Sequence, residues 1–535
     1  MNNSHTSDGN RIISDVVSLT PIPPGIDDPS AYQFLANSYP DWRNIAFFDL
    51  SNLDTKTFGT WAEEVATAQN FNGKTFDIDY ARRAIESRSV CVPGTSAPQI
   101  SHLFSMGSNY VWGYANLNGL PVMYFIIGNV PIVQASYFPT LRACVIASAK
   151  AEAFVRNAVF CLDCHIAVNP RLFSDYLRSP IETVSIVVAN PHVGHHLWDE
   201  LGGLDFLRAS GHLRQIDRVH IRPCATETYH RVEDIFPDLD GKVHRHKQEW
   251  DLASAALSDH EFTVPYGGRY VSGHLAERIA ALSKTASASF VDAIERDSQG
   301  SALKLLIGLR LENRCWIDQQ DGYVRIIEHL AQTFGSIAVV FDGHNSSIDE
   351  SQGAIRSYGE RGSPQTTGED MSCVGQETAL VANVRAAIAA RGLGERVFIT
   401  DTLSMPVAHS VVAAIWCDFF LSHWGAGLAK YKWIANKPGM IITNNAMLAR
   451  SAKKSSDLFL YDTERNREDA SSSAYISIDM VEDVPGTEHQ LVKLEGSSFH
   501  CFRVDMDRFV PFLSDWATDN FKVSGADLGT RRQLA

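Results

Sequence analysis

The 535-residue chain lacks any long hydrophobic run. Its most apolar stretch, 120–133, is broken by Gly128, Asn129 and Pro131, short of the ~18–20 residues a bilayer-spanning helix needs. The opening MNNSHTSDGNRIISDVV has neither the basic nor the apolar part of a secretory leader. Nine cysteines, an odd number without framework spacing, do not describe a disulfide scaffold. These absences give the expectation of a cytoplasmic protein with no transmembrane segment. Positive charge is also in deficit: 47 Lys and Arg face 62 Asp and Glu, a net charge of −15. That argues against a nucleic-acid partner, whose phosphates need a basic face. It leaves room for a small anionic ligand, because a few local cations suffice for that. No repeat, coiled coil or GxGxxG is present, and the last absence speaks against a tightly bound dinucleotide.

Cys161-Leu-Asp-Cys164-His165 has the spacing of a haem c attachment site. It sits inside the apolar run AVFCLDCHIAV, where cysteine behaves as a small core hydrophobe. Core packing is therefore the expected role, ahead of a redox, metal or haem role.

What is present is ordinary globular composition, 45% hydrophobic and 20% charged, on a chain long enough for about two to four domains. Residues 1–40 are polar and Pro-rich and read as an extended lead-in. Residues 41–175 form an accessory α+β region of unassigned fold, with β-like runs at 45–50 and 122–127 and a helix over 141–158. From 176 the chain alternates strand, loop and helix. Strands are expected at 184–189 and 218–221 and a helix at 272–283, making a Rossmann-like domain over 176–298. A second such domain covers 299–500. Its strands are expected at 303–308, 337–341, 396–399, 418–421 and 438–443, and its helices at 323–334, 377–391, 407–414 and 426–434. The Gly-, Ser- and Glu-rich stretch 346–376 reads as a surface insertion. A final helix, 506–521, is expected to pack back across the first domain, with a tail to 535. Continuous apolar strands alternating with helices mean parallel, doubly wound sheets, and two in tandem imply a ligand cleft between them.

Ligands in such sheets bind beyond the carboxyl ends of the strands. Three ends in the later domain carry chemistry: Arg310 and Arg314 after the 303–308 strand, Asp401 and Thr402 after 396–399, and Ser422-His423-Trp424-Gly425-Ala426-Gly427-Leu428 with Lys430 after 418–421. Glycines at a strand-to-helix junction let a ligand approach the backbone, whose amides cradle phosphate oxygens, and basic side chains would neutralise a diphosphate leaving group. The competing reading is that the glycines only permit tight packing and that the basic residues are solvated.

The segment CDFFLSHWGAGLAKYKWIANKPGMIIT resembles the nucleotide-sugar-binding C-terminal domain of GT-B glycosyltransferases. It is similar to the inverting enzymes that build bacterial surface polysaccharide, heptosyltransferases among them. It also resembles the His-Gly-Ala-Gly-Leu pattern of another inverting group, with Trp424 here interrupting the His–Gly pair. The resemblance covers 180–450 in layout and 303–343 and 396–445 in recognisable residues. It implies two facing Rossmann-like domains and a metal-independent, inverting transfer from a nucleotide-sugar donor to a glycan or lipid-linked saccharide acceptor. No cofactor is implied, the nucleotide-sugar being a substrate. Peripheral membrane or complex association completes the partner expectations.

The resemblance directs the search for a general base to the loop 191–200. Such a base takes the acceptor hydroxyl proton, and His195, His196, Asp199 and Glu200 have the right chemistry. Eight of the 19 histidines fall between 192 and 246, so structural histidines and a metal site remain alternatives, the latter with no evident third ligand. Three Asp-x-Asp pairs, at Asp77, Asp238 and Asp505, are no more than the aspartate content gives by chance. Two alternatives to a transferase stand: a non-catalytic glycan-binding or scaffold protein, and another Rossmann nucleotide-sugar enzyme.

Overall fold

The computed structural model describes residues 45–50, 53–70, 72, 79–90, 100–106, 110–127, 132–190, 192–222, 227–247, 249–268, 270–311, 314–346, 367–449, 471, 473–486 and 500–521. The expected lead-in 1–40, Asp77, most of the 346–376 insertion and the tail after 521 lie outside them. The chain divides into two compact units. The first comprises 1–190, 199–225 and 236–268, the second 191–198, 226–235 and 269–535.

The first unit holds two sheets. Six strands form the first: β1 (Ala46–Asp49), β2 (His102–Ser105), β3 (Tyr110–Leu117), β4 (Leu120–Ile127), β5 (Ile132–Phe138) and β6 (Ala143–Ile146), ordered β1-β6-β5-β4-β3-β2. All its pairings are antiparallel except β1 with β6. The accessory region is thus an antiparallel meander. Its central strand β4 is buried on both faces, which explains an apolar run without alternation. One face carries α1 (Glu152–Val168), whose Val155, Val159, Leu162 and Ile166 join Phe104, Trp112 and Phe125 in one core.

The helix expected over 141–158 is corrected here: Ala143–Ile146 is strand and the helix begins at Glu152. The β-branched, fully buried run ACVI fits a strand and carries no helical period. Cys164 and His165 lie buried on α1. Burial pushes the Cys164 thiol up to about 12 and the His165 imidazole down to about 4, the state of core side chains.

The second sheet of this unit is parallel. β7 (Thr183–Val188), β8 (Arg218–Ile221), β9 (Val243–Arg245) and β10 (Glu261–Thr263) stand in the order β10-β7-β8-β9.

The second unit is a doubly wound α/β layer. After α2 (Gly273–Ala286) and α3 (Ala288–Asp297), the chain forms β11 (Leu303–Gly308), α4 (Gln319–Phe334), β12 (Ile337–Asp342), α5 (Thr367–Ala390), β13 (Val397–Asp401), α6 (Val407–Trp416), β14 (Phe419–His423), β15 (Gly439–Ile442) and β16 (Ser473–Tyr475). The six strands are all parallel, in the order β13-β12-β11-β14-β15-β16. Counted along the chain this is 3-2-1-4-5-6, with the topological switch between β11 and β14. A hairpin, β17 (Val481–Val484) with β18 (Cys501–Val504), and α7 (Met506–Phe521) complete it.

Three expectations change in this unit. Helices α2 and α3, assigned from sequence to the 176–298 domain, belong to the second unit, where both pack on α6. Helix α7, expected to pack back across the first domain, packs on the sheet of its own unit. Trp516 and Phe521 pack on Phe419 of β14, and α7 lies along α4. The helix expected at 426–434 is a turn at 425–428 followed by a π-helix, Ala429–Ile434. No helix among the described residues is long and apolar enough to cross a membrane.

Candidate functional site

Gly308 ends β11 where β14 comes closest. A Cβ there would stand 2.2 Å from Ser422 Oγ and 3.1 Å from the Tyr431 hydroxyl, so only glycine lets the strand ends and the π-helix converge. Beyond that point lies an open pocket of about 600 Å³ including its mouth. Its lining comes from the carboxyl ends of β11 (Arg310), β12 (Asp342 to His344) and β14 (Ser422, His423, Gly425 to Gly427), with Lys430, Tyr431 and, from α5, Glu377. The pocket therefore straddles the switch point, the position where parallel sheets of this order receive ligands.

The floor is a buried ionic network. Asp342 accepts hydrogen bonds from Lys430 Nζ at 2.5 Å, from Thr402 Oγ1 at 2.6 Å and from the Tyr431 hydroxyl. Lys430 also donates to Asn345 Oδ1 at 2.8 Å, and Asn345 Nδ2 donates to the Thr402 carbonyl at 3.0 Å. Burial works to raise the Asp342 pKa, but Lys430, helped by Thr402 and Tyr431, holds it below the usual carboxylate range. A π-turn carries Lys430 and Tyr431, neighbours in sequence, to the same carboxylate; such turns recur at functional positions.

His423 is a strut. Its Nε2 accepts from the Trp316 main-chain amide at 3.2 Å, so its Nδ1 carries the proton and donates to the Gly308 carbonyl at 3.2 Å. Burial brings its pKa down to about 3. The imidazole is neutral and structural, which corrects its expected place among the phosphate-binding groups. The loop it anchors is pinned again to β18, where Phe502 donates to the Cys315 carbonyl at 3.0 Å and Ile317 donates to the Phe502 carbonyl at 2.9 Å. Arg310 reaches over Gly425, where a Cβ would meet its Nη1 at 2.5 Å. The guanidinium of Arg314 lies 5.0 Å from the centre of the Trp424 ring.

Of the residues expected at the donor site, Arg310, Ser422, His423, Gly425, Ala426, Gly427 and Lys430 line the pocket. Lys430 does so as half of an ion pair, so its charge is already balanced. Thr402 stands behind the floor, and Asp401 points elsewhere, 3.8 Å from Arg385. Arg314 is not part of the lining.

None of His195, His196, Asp199 and Glu200 lines the pocket. The two histidines fall in the second unit and the two acids in the first. The His195 amide donates to His192 Nδ1 at 3.3 Å, capping a helical turn. His196 is fully buried with its ring parallel to that of Tyr229. The Asp199 carbonyl accepts the Gly268 amide at 2.5 Å. Glu200, also buried, accepts the amides of Ala189 and Asn190 at 2.7 and 2.9 Å and so closes the end of β7. That engagement fits a structural acid better than a proton acceptor.

Half of the histidine-rich stretch, His212, His220, His244 and His246, falls in the first unit. His220 bridges Glu261 at 2.7 Å and His246 at 2.8 Å on the four-stranded sheet. Among the described residues no group of three or more His, Cys, Asp or Glu is arranged to hold a metal ion.

Sequence reasoning missed Asp342, His344, Glu377 and Tyr431. The signal for Asp342 was present: an acid ending the apolar run IAVVFD with glycine next, at a strand's carboxyl end. Glu377 carried no such sign, because it comes from a helix far along the chain. No family model matches the chain, and no curated protein matches it.

Proposed function

We propose that the second unit binds the diphosphate of a nucleotide-sugar, and that the protein is a GT-B-type glycosyltransferase passing the sugar to a glycan or lipid-linked saccharide hydroxyl. The observation that carries this reading is the pocket at the switch point of a parallel 3-2-1-4-5-6 sheet, where the guanidinium of Arg310 lies over Gly425 beside the small residues Gly425 to Gly427. Small residues there admit phosphate oxygens close to the main chain, and Arg310 supplies bidentate, charge-assisted donors. Because Asp342 neutralises Lys430, the anion's partner is Arg310. A sugar-nucleotide bond is broken by stabilising the charge that builds on the departing diphosphate.

The test is binding of UDP, GDP, ADP and CDP, followed by thermal shift and calorimetry, and then turnover of the corresponding nucleotide-sugars. A ligand at about 100 times its Kd adds about 2.7 kcal/mol of stability. Arg310→Ala is expected to weaken binding about ten- to a hundredfold, the worth of a charged hydrogen bond. Silence towards all four nucleotides at millimolar concentration would sink the proposal.

A further inference from the structure

One side-chain pair in the pocket has no part in holding an anion. His344 follows β12 by two residues and lines the pocket with its side chain 14% exposed. Glu377, on α5, is wholly buried and engages His344 twice. Its Oε2 accepts the His344 main-chain amide at 3.0 Å, and its Oε1 lies 2.9 Å from His344 Nδ1. Between β12 and this histidine stands Gly343, where a Cβ would come 2.5–2.7 Å from the Glu377 carboxylate. The chain therefore keeps glycine at the one place where a side chain would push the carboxylate away. A carboxylate only accepts, so Nδ1 carries the proton of the neutral ring and Nε2 holds the lone pair. A buried acid, a histidine fixed in one tautomer and an adjoining pocket are the parts of a general base and its orienting group.

We propose that His344 is the proton-accepting catalytic residue of this pocket and Glu377 its positioning residue. The proposal rests on the nucleotide-sugar reading and moves the base away from the 191–200 loop. The acceptor hydroxyl oxygen bonds to the anomeric carbon while its proton passes to His344 Nε2. The bond from that carbon to the β-phosphate oxygen breaks, and the nucleoside diphosphate leaves with the electron pair. The imidazolium, balanced by Glu377, then returns its proton to solvent. The other charged or titratable groups of the pocket are Arg310 after β11, Asp342 of β12, His423 of β14, and Lys430 and Tyr431 of the π-helix.

The experiment uses the full chain and water as the acceptor. It measures hydrolysis of UDP-, GDP-, ADP- and CDP-sugars across pH, and binding of the matching nucleoside diphosphate, for wild type, His344→Gln and Glu377→Gln. His344→Gln is expected to bind the nucleoside diphosphate within threefold of wild type and to lose at least a hundredfold in kcat, the usual worth of a positioned base. Glu377→Gln should lower kcat more than it changes KM and displace the acidic limb of the kcat–pH profile. A purely structural role would move neither limb nor kcat at constant affinity. If Glu377→Gln fails to fold, His344→Gln decides alone. Retained kcat in His344→Gln overturns the base assignment and leaves the nucleotide-sugar reading standing. Wild-type protein that binds a nucleotide but hydrolyses none of these sugars overturns the base assignment as well. No nucleotide binding by wild type overturns the underlying reading and the assignment with it.

Discussion

At the scale of single residues, the pocket floor is governed by the cost of isolating a charge. Asp342 and Lys430 are both buried and satisfy each other within a network of further hydrogen bonds from Thr402, Tyr431 and Asn345. Removing one partner leaves a buried charge with no counter-ion, which costs about 3–5 kcal/mol, whereas removing both is far milder. Lys430→Met should therefore lose about 3–5 kcal/mol in denaturant unfolding, and adding Asp342→Asn to it should restore most of that. Additive losses in the double variant would show that the pair is not coupled. Cys164 offers a second check. Its raised pKa keeps it in the thiol form, so it should resist alkylation at pH 7–8 in the folded protein and react at once after denaturation. Rapid labelling of the native chain would contradict its buried place on α1.

At the scale of elements, what could be read from the sequence was the part set by local hydrophobic pattern. Strand β11 was legible to the residue, because LKLLIG is a buried parallel strand with helices on both faces. Strands β12, β14 and β15 came within one or two residues for the same reason. The β6–α1 junction was not legible. A buried strand and a buried helix are equally apolar, and the turn between them, around Ala149, carries no glycine or proline. The pocket loop 422–428 could be read from its glycines, but the ionic floor could not. Asp342, Thr402 and Lys430 lie far apart in the chain and meet only through strand order. The same holds for His344 and Glu377. Gly322 shows how tertiary packing overrides propensity: glycine inside α4 costs about 1 kcal/mol relative to alanine, yet a Cβ there would meet the Trp316 ring at 1.9 Å. Gly322→Ala should accordingly destabilise by about 1–3 kcal/mol through overpacking. A stabilised variant in thermal unfolding would mean the indole moves aside at no cost.

At the scale of the whole molecule, buried and half-buried histidines set the response to acid. Burial brings His423 down to about 3 and His165, His230 and His246 to about 4, against about 6.5 in an unfolded chain. Below pH 6.5 the unfolded state binds protons that the folded state refuses, so this stability is complete above about 6.5 and is lost as pH falls towards 4 and 3. For the fully buried His165 and His423 the loss between pH 6.5 and 5 is on the order of 2 kcal/mol each. Asp163 works the other way. Burial raises it to about 6, so its contribution is present at low pH and lost as pH rises through 6. Four histidines outweigh one acid, and the thermal midpoint should fall by several degrees between pH 7.5 and pH 5. An unchanged midpoint would mean that these imidazoles reach solvent.

The balanced floor has a further thermodynamic consequence. Asp342 is held ionised and His423 stays neutral well into acid, so neither exchanges protons over the range in which a terminal phosphate takes up its second one. Any buffer-dependent heat in calorimetric titrations then reports the ionisation of the incoming anion and of the rim, with Asp342 and His423 contributing nothing.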